Sequence, residues 1–225
     1  MEMYVKFSLN EKLYLKDPEK SEIGKKILEN SVILIHDLGF EAFTFKKLGK
    51  AINTTEASVY RYFENKHRLL LYLVDWYWSW QEYRLVIQTK NLKDPADKIR
   101  KAIQLISSRT VEEISSSYMD EKLLYEIVMS EGAKSYLTRH VTEDNKAKLF
   151  KPYKDLAGRL ANMILEYNPD YKFPRSLSST VIEMAHSQKF YMRHLPSLTD
   201  FGNSKDESKM VGSFLEDLVF KTIHK

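Results

Sequence analysis

Lys66, His67 and Arg68 are three consecutive side chains that stand just after Asn65, a residue type that caps helices. Cations are disfavoured at a helix N-terminus, where the macrodipole is positive. Crowding them into a first turn makes chemical sense if an anion such as phosphate binds there, because free backbone N–H groups already attract one. From Glu41 to Arg68, six basic residues (Lys46, Lys47, Lys50, Arg61, Lys66, Arg68) stand against three acids (Glu41, Glu56, Glu64). The excess of +3 on this stretch compares with +4 for the whole 225-residue chain.

Other chemistry is poorly represented. The chain has no cysteine, which excludes disulfides, thiolate metal sites and cysteine nucleophiles. Glu183-x-x-His186 has the spacing of a helical metal pair, but a di-metal bundle needs a second such pair and two more carboxylates. The other match, Glu64 to His67, straddles a helix start, so no metal site is expected. Histidines at 36, 67, 140, 186, 194 and 224 form no close pair on one face. No Gly-rich phosphate loop, nucleophile elbow or triad spacing stands out. Neither a cofactor nor catalysis is expected.

Apolar residues make up 43% of the chain and charged residues 29%, an ordinary globular balance. Seven Gly and six Pro are few for this length and favour long helices over many short strands. The first residues, MEMYVKFSLN, carry an early acid and no apolar signal region. No apolar run approaches the length of a bilayer span. A soluble cytoplasmic protein with no membrane contact is expected.

The elements that would position these residues are all helical. Residues 1–16 read as a loose arm. Asp17-Pro18 reads as a cap followed by Pro at the first helical position. The helix after it places Ile23, Ile27, Leu34 and Leu38 on one face, with Gly39 as its stop. Thr44 caps a short helix through about Ile52. Asn53-Thr54 turn the chain, Asn tolerating the left-handed backbone. Thr55 caps a second short helix ending near Phe63, and Asn65 a long one to about Gln88. Further helices are expected at about 95–115, 119–131, 133–148, 152–167, 175–195 and 207–223, punctuated by Asn168-Pro169 and Phe173-Pro174.

Phe43 to Leu70 thus contains two short helices joined by a tight turn and followed by a capped long helix. Leu48, Ile52, Val59 and Phe63 supply the apolar seam, and Gly49 permits close approach. This is helix-turn-helix geometry, whose second helix enters the DNA major groove. From Ile27 to Leu70 the sequence resembles the tetracycline-repressor (TetR) family. The resemblance rests on Gly39-Phe40, the Thr44 cap, Leu48-Gly49, the turn, Val59-Tyr60-Arg61-Tyr62-Phe63, Asn65-Lys66 and Leu69-Leu70. Asn53 and Ala57 stand where that family often has Gly, and Glu56 where it often has Lys or another polar residue.

The resemblance implies that Thr44, Tyr60, Tyr62 and Lys66 hold phosphates and that Lys46 reaches DNA from the preceding helix. It places Thr55, Glu56, Ala57, Ser58 and Arg61 against bases or the adjacent backbone. Phosphate contacts fix register, and base contacts specify sequence.

All three tryptophans fall at 76, 78 and 80. Trp76 and Trp80 share a helical face with Leu69, Leu73 and Ile87, beside Tyr83. Such rings suit either core packing or stacking on a flat or cationic ligand. In the resembling family this helix links head to body and lines the effector pocket. Trp76, Trp80, Tyr83, Tyr125, Met129, Tyr136, Met163, Tyr167 and Met184 are therefore the candidate pocket residues. In the last two helices, Leu177, Val181, Met184, Gln188, Tyr191 and Leu195 form one stripe. Val211, Phe214, Leu218 and Ile223 form another. The family dimerises by a four-helix bundle of such helices.

The expected architecture is all-α: a three-helix head over residues 17–66, a connector to about 88, and a larger effector-binding and dimerisation domain over 67–225. The expected function is a homodimeric repressor on a palindromic double-stranded DNA operator, released by a small-molecule effector. A helical module without effector, whether DNA-binding or protein-binding, and a helical-bundle enzyme or carrier are the two other readings. The enzyme or carrier would show no salt-dependent affinity for DNA, and the module without effector would have a body without an enclosed cavity.

Overall fold

The computed structural model describes residues 6–108, 119–202, 204 and 206–224. Among the described residues there are ten α-helices and no strand. They are α1 (Glu22–Ala42), α2 (Phe45–Ala51), α3 (Glu56–Tyr60), α4 (Lys66–Thr89), α5 (Pro95–Ser107), α6 (Glu121–Glu131), α7 (Val141–Lys146), α8 (Lys151–Tyr167), α9 (Pro174–His194) and α10 (Glu207–Ile223). The chain divides into two compact units, 1–77 with 111–151 and 78–110 with 152–225. The backbone passes from one to the other inside α4, between Tyr77 and Trp78. The head expected over residues 17–66 lies wholly within the first unit.

In that unit the start of α1 differs from expectation. Asp17 caps a single 3-10 turn, Pro18–Lys20, and Ser21 then caps α1 by accepting from the Gly24 amide. The buried stripe of α1 is Gly24, Ile27, Leu28, Ser31, Val32 and Ile35. Of the expected face only Ile27 is buried, while Ile23 and Leu38 are exposed. The stripe was disguised because two of its members, Gly24 and Ser31, carry no apolar signal. Glycine at 24 is required by contact: a Cβ there would stand 2.1 Å from the Pro18 carbonyl oxygen. Gly39 breaks the helix at φ 75°, as its type suggests.

The arm is not loose over its described residues. Leu13 is fully buried and Leu9 nearly so. Phe7 meets Trp76 edge-on at 5.5 Å, Tyr14 meets Tyr72 at 6.1 Å, and Asn10 Nδ2 donates to the Ala147 carbonyl at 2.8 Å. The apolar residues involved are spaced irregularly, so no periodic pattern announced them.

α6 packs on α1 through an apolar face and a polar border. His36 Nε2 lies 2.9 Å from Glu126, the Phe40 amide donates to Glu131 at 3.1 Å, and Lys134 joins Glu41 at 2.9 Å. Hydrogen bonds to Asp37, then Glu126, raise the His36 pKa above its usual value. After α6 the expected helix over 133–148 is not continuous. A 3-10 turn at Gly132–Ser135 leads through exposed Tyr136 and Leu137 to the short α7. Thr138 competes for the backbone by accepting from the His140 amide.

In the second unit, α10 packs on both α5 and α9. Asp94 caps α5 with Pro95 at its first position. The expected helix over 95–115 is described as far as Ser107, and 109–115 lie outside the described residues. The inner stripe of α10, Val211, Leu215, Val219 and Ile223, is fully buried. Asn168 Nδ2 donates to the Ile223 carbonyl and fastens the end of α10.

From Leu69 to Trp78 every residue of α4 is buried, the pattern of a helix enclosed on all sides. One of these is Asp75, at 2% exposure. Loss of hydration pushes its carboxyl up from 3.8 to about 8. The folded state therefore holds a proton that the unfolded state has released, and stability contributed by the neutral acid is lost as pH rises from about 4 to about 8. Asp75→Asn should flatten this dependence. Thermal unfolding at pH 5 and pH 8 should show a smaller drop in Tm for the variant, and equal drops would refute the assignment.

Candidate nucleic-acid interface

α2 and α3 are short, and each is set by a side-chain cap. Thr44 Oγ1 accepts from the Lys47 amide at 3.2 Å, and Thr55 Oγ1 from the Ser58 amide at 3.2 Å. Between them Asn53 takes φ 54°, the left-handed turn expected of it. The two helices meet at Gly49, where a Cβ would stand 3.0–3.1 Å from Thr54 O, Thr55 C and Glu56 N. Leu48, Val59 and Phe63 are fully buried beneath the pair. α3 stops at Tyr60, three residues short of the expected end.

This packing anchors α3 by Val59 and leaves its other side open. Thr55, Glu56, Ala57, Tyr60 and Arg61 are exposed and Ser58 is half-exposed. Tyr60 keeps 47% exposure although its ring meets Phe45 at 4.9 Å. Thr44 and Lys46 are exposed on α2 and its cap. Eight of the ten residues expected to meet DNA thus lie at the surface, seven of them exposed and Ser58 half-exposed.

Lys66 and Tyr62 are placed differently. The Lys66 ammonium donates to the carbonyls of Phe40 at 2.9 Å, Glu41 at 3.0 Å and Phe43 at 3.4 Å. It also lies over the Phe40 ring at 4.7 Å. An ammonium has three donors, and here each has an acceptor. Lys66 thus closes the C-terminal end of α1. Tyr62 is 2% exposed, and its hydroxyl is 2.8 Å from Ser21 Oγ.

The crowding of cations at the start of α4 finds much of its answer inside the protein. Arg68 pairs with buried Asp144 at 2.9 Å. Burial lowers the His67 pKa, favouring its neutral form. The charge conflict inferred from sequence is genuine, but carbonyls and a carboxylate of the chain relieve it. Asp144 is 76 residues away from Arg68, so the sequence offered no local sign of the pair.

The candidate effector residues divide between the units. Trp76, Tyr125 and Met129 belong to the first; Trp80, Tyr83, Met163, Tyr167 and Met184 to the second. Trp76 and Tyr125 are buried, and Tyr125 lies 6.4 Å from Tyr77. Trp80 is buried and stacks on the more exposed Tyr83 at 5.6 Å. Tyr167 meets Phe220 edge-on at 5.6 Å. Met163 is buried, Met129 and Met184 half-buried, and Tyr136 exposed. A cluster missed from sequence is Trp78 with Tyr153 at 4.9 Å and His186 at 5.3 Å. Its partners lie far along the chain. Burial, then the charge of Lys189, drives the His186 pKa down to about 3. Glu183 accepts from the Tyr153 hydroxyl at 2.8 Å, and among the described residues no group of three or more acidic or imidazole side chains is set to hold a metal.

A short capped helix, a left-handed turn and an outward-facing second helix define a helix-turn-helix head on an all-α frame. Residues 27–73 match the model of the family of bacterial regulatory proteins, tetR family, so the similarity falls on the helix-turn-helix head. The head is accordingly that of a DNA-binding transcriptional regulator. No curated protein matches the chain in sequence. Solved structures match it over most of its length. A tetR-family regulatory protein from Rhodococcus RHA1 is 9% identical, with a TM-score of 0.62 over 90% of this chain and 97% of its own. AibR, solved with isovaleryl coenzyme A and operator DNA, is 16% identical, with a TM-score of 0.56 over 87% and 97%. The superantigen PfiT is 14% identical, with a TM-score of 0.60 over 92% and 98%. At these identities the likeness establishes the fold.

The placement of Lys66 separates support of the head from grip on phosphate. Lys66→Gln should lower the unfolding free energy by about 1–3 kcal/mol, as three carbonyls lose a charged donor. It should leave the salt slope of DNA binding unchanged. Chemical denaturation and a salt titration check both, and a normal stability with a reduced slope would reverse the assignment.

Proposed function

We propose that this protein is a homodimeric repressor that binds a palindromic operator through α3 and leaves it when a small molecule occupies the helical body. The observation that carries this reading is the exposure of Thr55, Glu56, Ala57, Tyr60 and Arg61 on a helix whose Val59 is fully buried. A helix held by one side and polar on the other suits a groove. Arg61 can donate to guanine O6 and N7, and Glu56 can accept from cytosine N4. Thr44, Lys46 and Tyr60 would set the register on phosphates. The Thr44 oxygen is used as an acceptor in its cap, which leaves the hydroxyl hydrogen to donate to phosphate.

The effector reading is supported by the aromatic and methionine content of α4, α6, α8 and α9, and by the ligand and operator held by AibR. A ligand that binds one body conformation better than another shifts the population, and so changes whether two heads match one operator. Dimerisation through α9 and α10 is supported by apolar side chains left on their outer faces. Phe190, Leu195, Met210 and Phe214 are 37–44% exposed. The expected stripes are shared between inside and outside: Leu177, Val181, Val211 and Ile223 are buried, while Met184, Gln188, Tyr191 and Leu218 are half-buried. Among the described residues no helix is long and apolar enough to cross a membrane, in keeping with a place in the cytoplasm beside the DNA. The protein would act by binding, without catalysis.

The test is selection of bound sequences from random DNA duplexes, followed by a salt titration. The protein should enrich an inverted repeat with an affinity that falls steeply as salt rises. Arg61→Ala should relax the preference at one position of each half-site, costing about 1–3 kcal/mol there. An unchanged affinity and preference after replacing Lys46, Tyr60 and Arg61 together would sink the reading.

A further inference from the structure

We infer that Lys16, in the arm before the first helix, is a phosphate-gripping residue on the flank of α3, in the role that sequence assigned to Tyr62. The inference rests on the DNA-binding reading above and adds a contact to it.

The geometry begins with Tyr62. Its ring is buried and its hydroxyl is engaged with Ser21, so it offers little to an incoming strand. The group that covers it is Lys16, whose ammonium lies 5.2 Å from the ring centroid. The arm is fixed there by its backbone, since the Leu15 amide donates to the Tyr62 carbonyl at 2.7 Å. Tyr62 directly follows Arg61 in the chain, so the arm joins the backbone one residue from the side chain expected to read bases. Buried Leu13 and the Tyr14–Tyr72 contact hold the preceding turn. The cost of ordering the backbone that presents Lys16 is therefore met by folding and not by binding.

Charge supports the same assignment. Lys16 is exposed and, among the described residues, pairs with no carboxylate. The adjacent acid, Asp17, is already occupied. It accepts from the Glu19 amide and lies 3.4 Å from Lys20 and 3.9 Å from Lys6. The aromatic face beneath Lys16 favours a cation and directs it without neutralising it. From 6 to 26 the chain carries six lysines (6, 12, 16, 20, 25, 26) against four acids (11, 17, 19, 22), so the surroundings do not repel an anion. The occupant that fits is the phosphate backbone of a DNA strand passing α3.

The experiment uses the full chain and a pool of short random-sequence DNA duplexes, with affinity measured across a salt series. Wild type, Lys16→Gln, Lys16→Met and Lys16→Arg are compared, and thermal unfolding confirms that each is folded. The slope of log affinity against log salt should shrink by about 0.9 in the Gln and Met variants and return in Lys16→Arg. Met preserves the aliphatic stem over Tyr62, so a loss shared by Gln and Met reports the charge. An unchanged slope in these two variants, with or without weaker binding, would overturn the inference, as would failure of Lys16→Arg to restore it. Absence of salt-dependent binding by wild type would instead overturn the DNA-binding reading itself.

Discussion

The head depends on one close approach of backbone to backbone. At Gly49 the chain of α2 comes so near to the start of α3 that any side chain would press on Thr54, Thr55 and Glu56. α3 has only five residues, too few to hold a helix in water by their own hydrogen bonds. It exists because α2 lies against it, Thr55 caps it and Val59 is buried under it. The same contact decides what α3 presents. With Val59 turned in, the residues beside it in sequence must turn out, and these are the polar ones.

A second constraint is the management of charge around that contact. The stretch from 41 to 68 is basic, but its cations do different work. Lys66 and Arg68 turn toward the protein, one onto three carbonyls at the end of α1 and the other onto Asp144. Lys47 also donates inward, to the Ala42 carbonyl. Lys46 and Arg61 remain outward. A count of positive charge therefore overstates the number available to an anion. Conversely, the arm contributes a cation over Tyr62 that lies outside the counted stretch.

Both units hold titratable groups whose state is set by their surroundings. Lost hydration favours the neutral form of Asp75, and the surroundings of His186, with Lys189 and Trp78 beside it, favour its neutral imidazole. Neither belongs to the exposed side of α3. They lie in the helices that carry the head and the body, where a change of protonation or of neighbour alters packing. The fold alone does not choose what such a body senses. Structures of similar fold include AibR, solved with isovaleryl coenzyme A and operator DNA, and the superantigen PfiT.

The sequence by itself determined the all-α character, the helix caps at Thr44, Thr55 and Asn65, the left-handed turn at Asn53 and the need for glycine at 49. These are short-range effects, fixed by residues a few positions apart, so spacing reveals them. Only the tertiary structure decided which face of α1 is buried, that the arm is packed, and that Lys66 and Tyr62 face inward. Each of these depends on partners far along the chain, such as Phe40 for Lys66, Ser21 for Tyr62 and Ala147 for Asn10. A residue's type states which bonds it can make, and long-range packing states which of them are already made.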